Sequence, residues 1–132
     1  TDSTGQFSAM YKPFHLIGME PNISIFSAAL LNQSTGQTQT FSGDVVATSK
    51  RALKKGEILD GEGGATVWGK LIPVKDSLSN ETLPIGLAHG IKLNKDIKED
   101  QIITWKDVDY SSEDPTVSFR RSMEKNFRFL LD

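Results

Sequence analysis

Residues 21–31 carry apolar side chains at helical spacing. Ile23, Phe26 and Leu30 fall at i, i+3 and i+7, which places them on one face of an α-helix. Pro21 suits the first turn because its missing N–H would have no partner there, and Gly36 lies a few residues beyond the helix. The pattern predicts an amphipathic helix from about 21 to 31 whose apolar stripe packs against other residues.

A second helical pattern closes the chain. Asp114 and Pro115 match an N-cap followed by a first helical residue. The apolar residues after them recur three or four positions apart. These residues are Phe119, Met123, Phe127 and Leu130. The pattern predicts a C-terminal helix.

Residues 45–110 have a different pattern, in which short apolar and β-branched stretches alternate with polar breaks rich in glycine. The glycines are more numerous than strand connections require, which indicates bulges and close backbone crossings. We therefore expect a compact, coiled unit made mostly of short strands. The predicted strands lie in DVVATS, ATVWGKLIPV, IGLAHGIKL and QIITW.

The same region contains an internal repeat. KRALKKGEIL (50–59) aligns without gaps on NKDIKEDQII (94–103) at a constant spacing of 44 residues. Each copy has an apolar anchor, Leu53 or Ile97, then a tight polar turn and a Glu or Gln followed by two apolar residues. The repeat predicts an approximate two-fold with like backbones and both anchors buried at equivalent places.

Composition and charge exclude several classes of protein. A chain of 132 residues and 14.6 kDa is the size of one domain. The absence of cysteine excludes disulfides, thiolate metal sites and thiol nucleophiles. The 15 Lys and Arg residues interleave with 17 Asp and Glu residues and form no basic patch. No apolar run approaches the roughly 20 residues of a membrane span. We expect a soluble protein with no nucleic-acid or membrane partner.

The two turn phrases resemble those of the SAF domain, named for sialic acid synthase, antifreeze and flagellar proteins. They are RALKKGEILDGEG (51–63) and KDIKEDQIITWKDV (95–108). The resemblance implies a β-clip of coiled short strands. The expected fold class is therefore α+β, mostly β: an N-terminal helical lead-in (1–41), an SAF-type β-clip (42–110) and a C-terminal helix (111–132).

A longer combination of segments resembles one enzyme family. The segments are 11–30, 44–64, 67–71 and 83–97. Together they are similar to the carboxyl-terminal part of homoserine-dehydrogenase-like NAD(P)-dependent oxidoreductases, one branch of which acts as a reductoisomerase-like enzyme on deoxyxylulose phosphate. The resemblance implies a cytoplasmic parent enzyme that uses NAD or NADP on a small polar, sugar-like or phosphorylated substrate.

The nucleotide-binding half of that family is missing from these residues. A Rossmann domain needs a G-x-G-x-x-G turn between a strand and a helix, and the only glycine cluster, residues 61–64, precedes a strand-like run. The chain begins with Thr1 and lacks a signal-peptide pattern. We expect a fragment that binds no cofactor, holds no metal and catalyses nothing alone. Its expected partner is the missing Rossmann and catalytic half, and the sequence leaves open whether it forms a homo-oligomer. The alternative is a stand-alone SAF module that binds a carbohydrate-like ligand or mediates assembly, such as that of a pilus or flagellum.

No catalytic residue is identified, but three residues are candidates. Lys12 and His15 border the junction with the missing half, and either they are packed structural residues or they present charge and protons to a polar substrate. In the second case we expect both to be exposed in this chain. His89, beside Gly90, is either an exposed turn residue or part of a ligand site or interface.

Other conspicuous residues have structural interpretations. Trp68 and Trp105 each follow a β-branched residue in a strand-like run, which favours core packing for both. The acidic residues near the end of the β-rich region lack the spacing of a calcium loop and predict a solvated linker. They are Asp107, Asp109, Glu113 and Asp114.

Overall fold

The computed structural model describes residues 2–5, 7–37 and 39–131. The side chain of Leu130, part of the predicted C-terminal stripe, lies outside the described residues. Contacts between residues divide the chain into two units, Thr1–Gln39 and Thr40–Asp132. Each unit is described by itself.

Helix α1 (Asn22–Leu31) lies in the first unit and confirms the prediction for residues 21–31. The helix follows Pro21 and ends at Asn32, whose left-handed backbone (φ 52°) lets its N–H donate to the carbonyl of Ser27. The predicted packing of the stripe is not found among the described residues, because no residue of α1 is buried. Phe26, its least exposed large apolar side chain, is 55% exposed.

The second unit is an α+β fold with two antiparallel sheets, and this confirms the expected class. Strand β1 (Gly43–Ser49) pairs with β3 (Val67–Pro73) over its full length. The other sheet has the order β2-β4-β5 and consists of β2 (Ile58–Asp60), β4 (His89–Leu93) and β5 (Val108–Asp109).

Two further helices belong to this unit, α2 (Val74–Asn80) and α3 (Pro115–Asn126). The sequence pattern missed α2, because the apolar end of β3 runs directly into it and the helix is only seven residues long. Pro73 keeps an extended backbone (ψ 142°) and separates the strand from the helix. The β-rich region therefore contains one helix that its alternation does not reveal.

The repeat folds as two copies related by an approximate two-fold, as predicted. Leu53 and Ile97 are 1% and 2% exposed and form a bridge in which each N–H donates to the other's carbonyl at 2.9 Å. The neighbouring hydrogen bonds have the same two-fold relation. The donor of one bond lies 44 residues from the donor of the other, and the two acceptors are likewise 44 residues apart. They join Ser49 N–H to the carbonyl of Gln101 (3.0 Å) and Leu93 N–H to the carbonyl of Glu57 (2.9 Å).

The two turns of the repeat are also built alike. The Glu57 carboxylate accepts a hydrogen bond from Lys54 N–H at 2.6 Å, and the Gln101 amide oxygen accepts one from Lys98 N–H at 3.0 Å. Each turn has one left-handed residue in the same place, where glycine and aspartate are tolerated. These residues are Gly56 (φ 91°) and Asp100 (φ 58°).

The second unit has a hydrophobic core formed by residues of the sheets, the turns and α3. Trp105 is buried in it (3% exposed), as predicted, but Trp68 is 38% exposed and the prediction for it is wrong. Trp68 lies on β3, of which only Val67 is buried, because β3 pairs on one side with β1 and turns most of its residues outward. The core residues are Ala47, Leu53, Leu59, Val67, Leu83, Ala88, Leu93, Ile97, Ile103, Trp105, Val108 and Val117.

Helix α3 begins as the sequence predicts, because the Asp114 carboxylate accepts hydrogen bonds from the N–H groups of Thr116 and Val117. Its buried face differs from the predicted stripe. Val117 and Glu124 are buried, whereas Phe119 is 75% exposed. Phe119 points to solvent because the other face of α3 carries Arg120 and Glu124, whose partners Asp44 and Trp105 lie in the rest of the unit.

Those partners form a charged network between α3 and the sheet. Arg120 bonds to the Asp44 carboxylate on β1 through both terminal nitrogens and to Glu124 through Nε at 2.8 Å. Trp105 Nε1 donates to Glu124 at 3.2 Å, and Ser77 on α2 donates to Asp44 at 2.5 Å. The network fixes α3 through ion pairs as well as apolar contact.

Candidate functional site

Two of the three candidate residues lie together in the first unit. Lys12 Nζ and His15 Nδ1 both contact the carboxylate of Glu20, the histidine at 2.7 Å from Oε2. The side chains of Lys12 and His15 are 48% and 67% exposed, as expected. The Lys12 ammonium and the His15 imidazole therefore share one carboxylate, that of Glu20, at the surface of this unit.

Glu20 reaches the two bases because the chain reverses just before it. Gly18 has a left-handed backbone (φ 89°), and the N–H groups of Met19 and Glu20 donate to the carbonyl of Leu16 at 3.1 and 3.2 Å. Sequence reasoning missed Glu20, which has no helical or strand spacing to His15. The glycine two residues before it was the available indication of a reversal.

His89 lies in the second unit, where it is the first residue of β4 and is exposed. Its Nδ1 is 3.0 Å from the carbonyl oxygen of Asp60, and a carbonyl can only accept, so the Nδ1 atom carries the proton. A Cβ on Gly61 would come within 3.0 Å of that nitrogen. The imidazole is therefore held against a glycine backbone with Nε2 as its free nitrogen.

The loop that holds His89 is organised by Asp60. Its carboxylate accepts hydrogen bonds from the N–H groups of Ala65 (2.6 Å) and Thr66 (3.0 Å) and from the Thr66 hydroxyl. The hydrogen bond from that hydroxyl, followed by those from the two N–H groups, lowers the pKa of Asp60 to about 2. A Cβ at position 64 would overlap this carboxylate, so only glycine fits there.

A cleft of about 330 Å³ adjoins His89. One wall comes from the segment around the start of β4, and the other comes from the residues between β5 and the first turn of α3. Both apolar and polar residues line it. The lining residues are Gly86, Leu87, His89, Gly90, Ile91, Asp109, Tyr110, Ser111, Asp114, Thr116 and Val117.

Three polar groups of this cleft remain available to a ligand. Within the described residues, the Asp109 carboxylate, the Tyr110 hydroxyl and His89 Nε2 make no hydrogen bond or ion pair. The ring of Tyr110 is held edge-on against Trp105 with a centroid distance of 5.0 Å. Sequence reasoning missed Asp109 and Tyr110 as neighbours of His89, because about 20 residues separate them along the chain.

The predicted acidic linker is wrong for Asp107. This residue is 1% exposed, accepts a hydrogen bond from Thr104 N–H at 2.9 Å and is 2.5 Å from Lys95 Nζ. Together with Thr104 it forms a capping box around a single turn of 3₁₀ helix. Asp107 is therefore a structural residue, whereas Asp109 and Glu113 are exposed and Asp114 caps α3.

The structure brings Lys12 and His15 together and places His89 in the other unit. Across the described ranges, no group of three or more His, Asp or Glu residues is arranged to hold a metal ion. No helix in those ranges is both long and apolar enough to span a bilayer.

Neither the protein-family models nor the curated proteins compared with this chain match it.

Proposed function

We propose that this chain is the carboxyl-terminal accessory domain, of SAF type, of a homoserine-dehydrogenase-like NAD(P)-dependent oxidoreductase. The parent enzyme acts in the cytoplasm on a small polar, sugar-like or phosphorylated substrate. One observation carries this proposal: the first unit presents apolar side chains to solvent almost throughout. They are Phe7, Met10, Tyr11, Phe14, Leu16, Ile17, Met19, Ile23, Ile25, Phe26, Leu30 and Leu31.

Such a surface is stabilised when another polypeptide covers it. Full burial of one large apolar side chain contributes roughly 1.5–3 kcal/mol, and contiguous exposed apolar patches usually mark an interaction site. We assign the cover to the catalytic half of the parent enzyme. The segment resembling the enzyme family, residues 11–30, lies within this unit.

The contact between Lys12, His15 and Glu20 supports a role near a polar substrate. A covering catalytic half would remove water from this cluster and strengthen its electrostatic interactions. Lys12 then offers positive charge, and His15 offers a nitrogen that accepts or donates a proton. The Glu20 carboxylate holds both side chains in place.

The second unit supports an accessory role because the N–H groups after its glycine cluster (residues 61–64) already have hydrogen-bond acceptors within the loop. The N–H groups of Ala65 and Thr66 point to the Asp60 carboxylate, and β3 follows the loop instead of a helix. A nucleotide phosphate needs free N–H donors at a helix N-terminus. In this proposal NAD or NADP is therefore bound by the Rossmann half of the parent.

The test compares the 132-residue chain with the complete product of its gene. Each is titrated with NADH and NADPH up to about 1 mM, and binding is followed by nicotinamide fluorescence. A Kd of about 1 mM corresponds to a binding free energy of roughly 4 kcal/mol. We expect saturable binding by the complete product and none by the chain. Saturable binding by the chain alone, or no binding by the complete product, contradicts the proposal.

A second experiment tests the cluster in the complete gene product. Lys12→Ala and His15→Ala should lower NAD(P)-linked turnover of a panel of sugar phosphates and sugar acids, while the unfolding free energy stays within about 1 kcal/mol, as is usual for exposed positions. Lys75→Ala is the matched control, since Lys75 is exposed on α2. Turnover equal to that of the control would remove Lys12 and His15 from the site.

The cleft beside His89 favours the alternative function, a stand-alone module that binds a carbohydrate-like ligand. It lies wholly within the second unit, which has its own core. The nicotinamide titration separates the two functions, because a stand-alone binding module has no nicotinamide-binding half.

A further inference from the structure

The cleft between His89 and Tyr110 has the features of a preformed ligand site. Small-molecule sites combine a concave, partly apolar wall with a few convergent polar groups. Here Leu87, Ile91 and Val117 supply the apolar wall, and the free polar groups come from three residues on the rim. Ile91 lies on β4, Val117 lies on α3 and Leu87 ends the short 3₁₀ turn before β4; all three belong to the hydrophobic core or pack against it.

His89 is oriented before any ligand arrives. Its Nδ1–H donates to the Asp60 carbonyl, and the backbone at Gly61 packs against the ring. Asp60 in turn is fixed by its bonds to Ala65 and Thr66. In the neutral ring this leaves Nε2 with a lone pair, so His89 presents an acceptor.

The free groups of the cleft are mainly acceptors. The Asp109 carboxylate and His89 Nε2 accept hydrogen bonds, and the Tyr110 hydroxyl donates or accepts. Neither lysine nor arginine lines the cleft. A phosphate or carboxylate would meet Asp109 and Asp114 without a compensating cation, which makes an anionic ligand unfavourable.

We propose that this cleft binds an uncharged polyhydroxylated ligand, whose hydroxyl groups donate to Asp109 and His89 and whose C–H face rests on Tyr110 and the apolar wall. The inference deepens the alternative function proposed above, because it names the ligand class of the cleft and the groups that bind the ligand, and the oxidoreductase assignment does not use this cleft. It does not rest on that assignment, because every residue involved lies in the second unit.

The test uses the 15N-labelled 132-residue chain and two neutral probes, xylitol and methyl β-D-xylopyranoside, each titrated to about 100 mM. We expect saturable amide shifts confined to residues 86–91 and 109–117, with a millimolar Kd for at least one probe. Putrescine and inorganic phosphate serve as charged comparisons. No saturable shift with either neutral probe, or tighter binding of putrescine or phosphate at the same amides, overturns the proposal.

Variants locate the binding groups. Asp109→Asn and Tyr110→Phe should each weaken binding of the better probe at least threefold, while the remaining amide spectrum shows that the fold is retained. Asp76→Asn is the matched control, because Asp76 is an exposed aspartate on α2 outside the cleft. Unchanged affinity in both cleft variants contradicts the assignment. No nicotinamide is present, so this result stands apart from the oxidoreductase test.

Discussion

Replacing Arg120 by Met tests the network that fixes α3 to the sheet. The Arg120 side chain is 13% exposed, and its partners Asp44 and Glu124 are 6% and 9% exposed. Burial by itself would lower the pKa of Arg120, but the hydrogen bonds to Asp44 and Glu124 outweigh it and raise that pKa above its ordinary value. Methionine keeps much of the aliphatic volume and removes the charge.

The expected loss follows from what each carboxylate retains. Glu124 keeps hydrogen bonds from Trp105 Nε1 (3.2 Å) and Arg121 (2.5 Å). Among the residues that the structure describes, Asp44 keeps only the Ser77 hydroxyl (2.5 Å). Removing one partner of a buried ion pair costs about 3–5 kcal/mol. Because Glu124 stays paired, we expect the lower end, about 3 kcal/mol.

Urea unfolding monitored by tryptophan fluorescence measures this loss. With an m-value of about 1.5 kcal/mol/M, a loss of about 3 kcal/mol lowers the midpoint by about 2 M. Arg128→Met is the matched control, since Arg128 is 55% exposed and should change stability by less than about 0.5 kcal/mol. An Arg120→Met variant within about 1 kcal/mol of the wild type would refute the reasoning. A further Asp44→Asn change should restore part of the loss.

Four other substitutions test the core, the cap and the Asp60 loop. Leu53→Ala and Ile97→Ala should each destabilise the chain by about 2–5 kcal/mol in urea unfolding; values differing by more than about 2 kcal/mol would argue against equivalent anchors. Asp114→Ala should cost about 1 kcal/mol by thermal unfolding, because it leaves two N–H groups of α3 without a cap; an unchanged Tm contradicts this role. The pKa of Asp60 is lowered to about 2, so its contribution is present above about pH 4 and disappears as the pH falls towards 2. The stability difference between the wild type and Asp60→Asn should shrink over that range in acid unfolding, and a constant difference would exclude the linkage.

Local sequence determined the elements whose causes lie within a few residues. Pro21 and the helical spacing of Ile23 and Phe26 predicted α1, and Asp114 with Pro115 predicted the start of α3. The 44-residue repeat predicted that Leu53 and Ile97 are buried at equivalent places, because the same turn chemistry in two copies produces the same backbone. These features depend on capping, proline geometry and periodicity, which act locally.

Only the tertiary structure decided which faces are buried and which polar groups meet. Phe119 is exposed and Glu124 is buried because Asp44 and Trp105, distant in sequence, give Glu124 and Arg120 their partners. Asp107 is buried where its carboxylate accepts the hydrogen bond from Thr104 N–H and pairs with Lys95.

The candidate sites followed the same division. Sequence identified Lys12, His15 and His89 as candidates by residue type and context. It did not reveal Glu20, Asp109 or Tyr110, because a chain reversal brings Glu20 to the two bases and strand pairing brings Asp109 and Tyr110 to the cleft of His89. A residue's own neighbours in sequence set its conformation, whereas its chemistry depends on groups that only folding brings within a few ångströms.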